Sequence, residues 1–149
     1  MSENLIIHTE TNGVIEYNES VPCMIGRYLG FMMSAEFRAF GTLLLQSSIK
    51  YKKTNKDLFL IVDSIKSGVA SREDTDWVAS NLNPLLLQAG FRYIAFLLPE
   101  DLFAERSVKN YVTTTRKVTD EDELVINMFA NEKDAINWFK TLTKNSELV

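Results

Sequence analysis

Two apolar runs constrain this chain more than any other feature. Residues 58–62 read LFLIV and residues 93–98 read YIAFLL, neither alternating with polar residues. A strand with one wet face alternates, whereas an unbroken apolar strand is covered on both faces, as in the middle of a parallel sheet. Parallel neighbours need crossover connections, normally helical. Helix-period segments lie where such crossovers are required. Phe37, Phe40, Leu44 and Tyr51 recur at three-, four- and seven-residue steps before the first run. Trp77, Val78, Leu82, Leu85 and Leu86 supply an apolar face between the two runs.

The remaining elements follow from local signals. LIIHT and VIEY flank Thr11-Asn12-Gly13, and Asn-Gly favours a tight hairpin because both residues tolerate positive φ. CMIGRYLG reads as a third strand, in which Gly26 and Gly30 suggest a bulge or a close approach. Ser34 is positioned to cap a helix running to about Thr54, with Glu36 suiting the positive end of its dipole. Ser71-Arg72-Glu73-Asp74 resembles a capping box for the next helix. Pro84 should bend or split that helix, and Gly90 should end it. Pro99-Glu100-Asp101 opens another helix, with Ala104, Val108, Tyr111 and Val112 on one side. Asp120 to Glu123 reads as a solvated turn, and LVINMF at 124–129 as a last strand. Asn131 caps a final helix facing Ala135, Trp138, Phe139 and Leu142 inward, with a frayed tail beyond Lys144.

The expected architecture is therefore one α/β domain over residues 1–149, with its core at about 4–143. A mixed sheet carries an N-terminal antiparallel hairpin and parallel central strands, with about four helices packed on it. Strands 22–30 and 124–129 are expected at sheet edges, with Tyr28, Phe31 and Met32 exposed and available for a homodimer contact.

Composition narrows the function by exclusion. The net charge of −4 argues against a nucleic-acid partner, which needs a basic face. Lys50, Lys52, Lys53 and Lys56 cluster at a helix end, where the dipole favours cations. The single cysteine, Cys23, lies among apolar residues and reads as a buried, inert thiol. The start MSENLIIHTE lacks the pattern of a secretory signal, and no apolar run approaches the roughly 20 residues of a membrane span. A cytoplasmic protein without an integral membrane segment is expected. The one histidine, His8, falls in the first strand in step with Ile6 and Glu10 and reads as solvent-facing. No phosphate-cradling glycine motif occurs, and the dense acids have structural explanations, so neither metal nor cofactor is expected and no catalytic set is assembled.

One stretch, LIVDSIKSGVAS at 60–71, still raises a functional question, because a buried strand surfaces there in Asp63 followed by Ser64, Ser67 and Gly68. A phospho-aspartate receiver would need an acidic pair after the first strand and a lysine after a later one, and neither is present. A helix opening SAEFRAF, the strand LFLIVD, the helix SREDTDWVASNLNPLLLQAG, the strand FRYIAFLLP and the closing FANEKDAINWF instead resemble the SpoIIAA-like branch of STAS domains. That family includes bacterial anti-sigma factor antagonists and is distantly similar to the lipid-carrying Sec14 fold. The spacing of Trp77, Pro84 and Gly90 is the most distinctive part of the likeness.

In the antagonists the matching strand ends in D-S-S-G or D-S-T-G, and a partner kinase phosphorylates the hydroxyl before the glycine. Here Asp63-Ser64-Ile65-Lys66-Ser67-Gly68 keeps both neighbours but separates them by two extra residues. The resemblance implies a non-catalytic interaction module, docking to a protein partner such as a regulatory kinase and switched at Ser64 or Ser67. The alternative is a domain binding a small apolar ligand or lipid, with Phe31, Met32, Met33 and Phe37 lining a pocket between helix and sheet. A second alternative is a structural, homodimeric role without a switch.

Overall fold

The computed structural model of the chain describes residues 4–67, 70–97 and 124–148. The elements run β1 (Leu5–Glu10), β2 (Gly13–Asn18), β3 (Cys23–Tyr28), α1 (Ser34–Lys52), β4 (Phe59–Asp63), α2 (Arg72–Asn81), α3 (Asn83–Gln88), β5 (Tyr93–Leu97), β6 (Val125–Phe129) and α4 (Glu132–Leu148). The helix expected from Pro99 and the acidic turn at Asp120–Glu123 lie outside the described residues.

The strands form one six-stranded sheet in the order β1-β2-β3-β4-β5-β6. β1, β2 and β3 pair antiparallel, and β3 through β6 pair parallel. The antiparallel hairpin and the parallel centre thus match expectation. Of the two strands expected at edges, β6 is at one, but β3 lies inside the sheet and β1 is the opposite edge. Tyr28 and Met32 are accordingly buried, whereas Phe31 is exposed as expected.

Alternate residues of each strand feed two apolar layers. Ile15, Met24, Leu60, Ile94 and Ile126 face α1, α2 and α3, joined by Phe40 and Leu44 of α1. Cys23, Ile25, Phe59, Ile61 and Leu97 face α4, which contributes Ala135 and Phe139. The rings of Phe59 and Phe139 stack at 4.3 Å. Of the inward face expected between the apolar runs, Leu82 and Leu86 are buried but Leu85 is exposed. The helix is split at Leu82, and Pro84 stands in the first turn of the short α3.

Two glycines set how closely α1 approaches the sheet. A Cβ on Gly13 would stand 2.5 Å from the Phe40 ring, and one on Gly26 would collide with Leu44. Gly26 therefore marks a close approach within an unbroken ladder. The irregularity lies instead in β1, between Ile6 and His8. The Asn12-Gly13 turn also differs from its expected conformation: among the described residues only Gly90, φ 103°, has positive φ. Glu10 still pairs with Gly13 across the Thr11-Asn12 turn. Glycine is required at position 13 by the helix above it rather than by the turn.

Of the three cap residues expected at described helices, Ser34, Ser71 and Asn131, two make the expected bond. Ser71 accepts a hydrogen bond from the Asp74 amide (3.0 Å), and Asn131 Oδ1 accepts one from the Asp134 amide (2.9 Å). At α1 the cap position is Met33, without a side-chain cap. Ser34 is displaced by one residue, and its hydroxyl donates to Asp74 of α2. α4 is helical through Leu148.

Candidate functional site

The C-terminal end of β4 answers the question raised by its sequence. Successive strand residues point to opposite faces, so Asp63 and Ser64 leave the sheet in opposite directions. Asp63 pairs across the ladder with Arg27 and turns toward the α4 face. One of its oxygens accepts from Arg27 (2.9 Å), and the other accepts from the Ile65 amide (3.1 Å). Ser64, 8% exposed, turns toward the α1–α3 face and donates to the Leu97 carbonyl on β5 at 2.9 Å. Ser67 donates to the Ser64 carbonyl at 2.9 Å, closing a turn with the 3.2 Å bond from the Ser67 amide to that oxygen. Gly68 lies outside the described residues.

On the α4 side, Arg27 gathers three carboxylates. It donates to both Glu16 oxygens (2.7 and 3.1 Å), to Asp63 and to Glu132 of α4 (2.7 Å). Burial alone would favour the neutral guanidine, but hydrogen bonds to Glu16, Glu132 and Asp63 hold its pKa above the ordinary value. Burial likewise pushes the Glu16 carboxyl up. Hydrogen bonds from Arg27 and Asn4 outweigh it, and the Glu16 pKa falls below normal. Neighbouring Cys23 is pushed up to about 12, first by burial and then by the charge of Glu132. Both oxygens of Asp63 are thus engaged within the fold, one by Arg27 and one by the Ile65 amide.

On the opposite face, the hydroxyls border a cavity of about 110 Å³. Its floor is the sheet, through Leu60, Val62 and Phe96, and its roof is α1, α2 and the α2–α3 junction, through Leu44, Val78 and Leu82. Phe31 and Met32 after β3 and Ser64 and Ser67 after β4 border it where these parallel strands end, and Phe37 and Thr75 add to the lining. The two groups of residues singled out in the sequence, the serine loop and the apolar group, thus meet at one site. Met33 is the exception, being 68% exposed and outside the lining. Phe31, 62% exposed, forms part of the mouth. The hairpin turn positions it: Asn12 donates to the Phe31 carbonyl (3.1 Å) and accepts from the Leu29 amide (2.9 Å).

A second polar cluster holds α1 against α2 beside this cavity. Asp74 is buried and accepts from Ser34 (2.8 Å) and Arg38 (3.0 Å), while Arg38 also lies over the Trp77 ring at 5.1 Å. Neither this cluster nor the Arg27 network is visible as a motif. Their members are far apart in sequence, and each looks like an ordinary helix-surface or strand charge. The only hint for Arg27 is a charge placed in a strand between apolar neighbours. At the other end of the sheet, burial depresses the pKa of Lys52, whose side chain lies over the Phe91 ring at 5.0 Å.

His8 sits on β1, separated from Asp63 by β2 and β3, with Nε2 2.8 Å from Glu10. Among the described residues no group of His, Cys, Asp or Glu could hold a metal, and no helix is long and apolar enough to cross a membrane. Comparison with known proteins gives no match: no family model, no curated protein and no solved structure matches this chain.

Proposed function

We propose that this chain is a non-catalytic binding module of the STAS type, working through the cavity between β4–β5 and α1–α2. A small apolar ligand is held there, and the exposed rim at Leu29, Phe31 and Met33 carries the state of the cavity to a protein partner. One observation carries the reading: the serine loop and the apolar group border a single cavity whose lining, among the described residues, includes no charged side chain. Sites for small molecules are concave, mostly apolar and fitted with a few polar groups, as this one is. The mixed sheet with helices on both faces supports the STAS likeness at the level of fold.

Saturating benzene should raise the melting temperature of the wild-type chain in a concentration-dependent manner. Val62→Phe, which fills the floor of the cavity, should remove that response. A melting temperature indifferent to benzene would overturn the ligand reading.

Phosphorylation belongs in this reading at Ser67 rather than Ser64. Ser67 is half-buried, whereas the Ser64 hydroxyl is buried and committed to Leu97. A phosphate on Ser67 would replace its bond to the Ser64 carbonyl and add about −1.5 to −2 charges at the cavity rim. Mass spectrometry of the protein from its native cells should find any phosphate on Ser67, and a loop unmodified under all growth conditions removes the switch. Self-association is assigned to the β1 edge, where Leu5 and Ile6 are exposed, and light scattering measures it.

A further inference from the structure

We infer that the cavity selects a compact, uncharged molecule that donates one hydrogen bond, a phenol or a small cyclic alcohol. This rests on the reading of the cavity as a ligand site and adds to it the ligand's charge, size and hydrogen-bonding sense.

Charge follows from the lining. With no charged side chain around it among the described residues, a carboxylate or phosphate drawn into the cavity would lose water without gaining a counterion there. Arg38, next to Phe37 in α1, is committed to Asp74, and Arg27 lies on the opposite face of the sheet. Size follows from the volume of about 110 Å³. An apolar cavity of roughly 150 Å³ accepts benzene, so the space holds at most one ring or a branched group of similar bulk, and most of a long acyl chain would have to lie outside the mouth at Phe31. The rings of Tyr28, Phe31, Phe37 and Phe96 border the space and offer edge and offset contacts to an aromatic ligand.

The hydrogen-bonding sense follows from where the hydroxyl protons go. Ser64 donates to the Leu97 carbonyl, Ser67 to the Ser64 carbonyl and Thr75 to the Arg72 carbonyl, each at 2.9 Å. A hydroxyl has one proton and two lone pairs. All three protons are spent on backbone, so these three side chains, which share the lining with the polar groups of Tyr28 and Asn83, meet a ligand as acceptors. At these three hydroxyls a ligand that only accepts would have to pull a proton away from a backbone carbonyl and leave it unsatisfied. A ligand O–H or N–H pays no such penalty.

The test is an amide-resolved NMR titration of the full chain with phenol, benzene, benzoate and decanoate, repeated on Ser64→Ala and on the nearly isosteric Thr75→Val. Phenol and benzene should saturate the cavity residues, and benzoate and decanoate should not. At least one variant should weaken phenol about fivefold while leaving benzene unchanged, the unchanged benzene response also reporting an intact cavity. Benzoate or decanoate binding as tightly as phenol would overturn the inference. So would phenol affinity unmoved in both variants, with the apolar-ligand reading still standing on benzene. Failure of both benzene and phenol to bind the wild type would overturn the inference and that reading together.

Discussion

At the scale of single residues, the sharpest consequence concerns Ser48. Its hydroxyl is fully buried in α1 and is the one buried side-chain polar atom among the described residues without a hydrogen-bond partner. Burying an unpaired hydroxyl costs about 1 kcal/mol or more, and alanine is also the better helix former. Ser48→Ala should therefore raise stability by about 1 kcal/mol, read from the midpoint of urea denaturation at unchanged slope. Gly26→Ala should act in the opposite direction. Its methyl group would meet Leu44 in a packed layer, and overpacking of that kind costs about 1–3 kcal/mol. Position 26 was legible as a special glycine because glycine weakens a strand without a reason. The reason itself, a leucine from α1, is a long-range contact. Position 13 teaches the same lesson more strongly, since a familiar turn pair is there without the backbone conformation that makes it familiar.

At the scale of elements, Arg27 fastens β2, β3, β4 and the first turn of α4 at one point. Removing one member of a partly buried ionic cluster leaves the others uncompensated. Arg27→Met should cost about 3 kcal/mol near neutral pH. The pH dependence has a definite sign. Because the Glu16 pKa is depressed in the folded chain, its contribution is present above the unfolded value, 4.5, and is lost as pH falls through the folded value. Acidification should thus destabilise the wild type through Glu16. In Arg27→Met the carboxylates repel one another, so protonating them should narrow the gap between variant and wild type. Denaturation midpoints measured from pH 7 to well below 4.5 check both statements. The elements themselves were largely legible: unbroken apolar runs gave the buried strands, helical spacing gave the crossovers, and Pro84 gave the break. The cluster was not, because Arg27 lies 11, 36 and 105 residues from its partners. No local pattern spans such distances. The same limit explains Ser34, whose type fits a cap but whose hydroxyl is claimed by Asp74, 40 residues away.

At the scale of the molecule, Cys23 is a reporter of global opening. It is wholly covered between the sheet and α4, and with its pKa near 12 only on the order of one thiol in 10,000 is ionised at pH 8. An aromatic disulfide reagent at pH 8 should label the native chain at least about a hundredfold more slowly than the chain in denaturing urea. Rapid labelling of the native chain would mean that α4 leaves the sheet readily. The two candidate groups of the site were individually legible as residue types, but their convergence required knowing that α1 crosses over the end of β4.

The order of strands across the sheet carries a last consequence, for assembly. Because β1 through β6 stand side by side in the order in which they are synthesised, each arriving strand finds its partner already made and adds to an open border. Among the described residues, no segment has to be inserted between two that have already joined. Since domains form from the N-terminal end as the chain emerges, this sheet is built outward from the meander by simple addition, and its last strand is the one the ribosome delivers last.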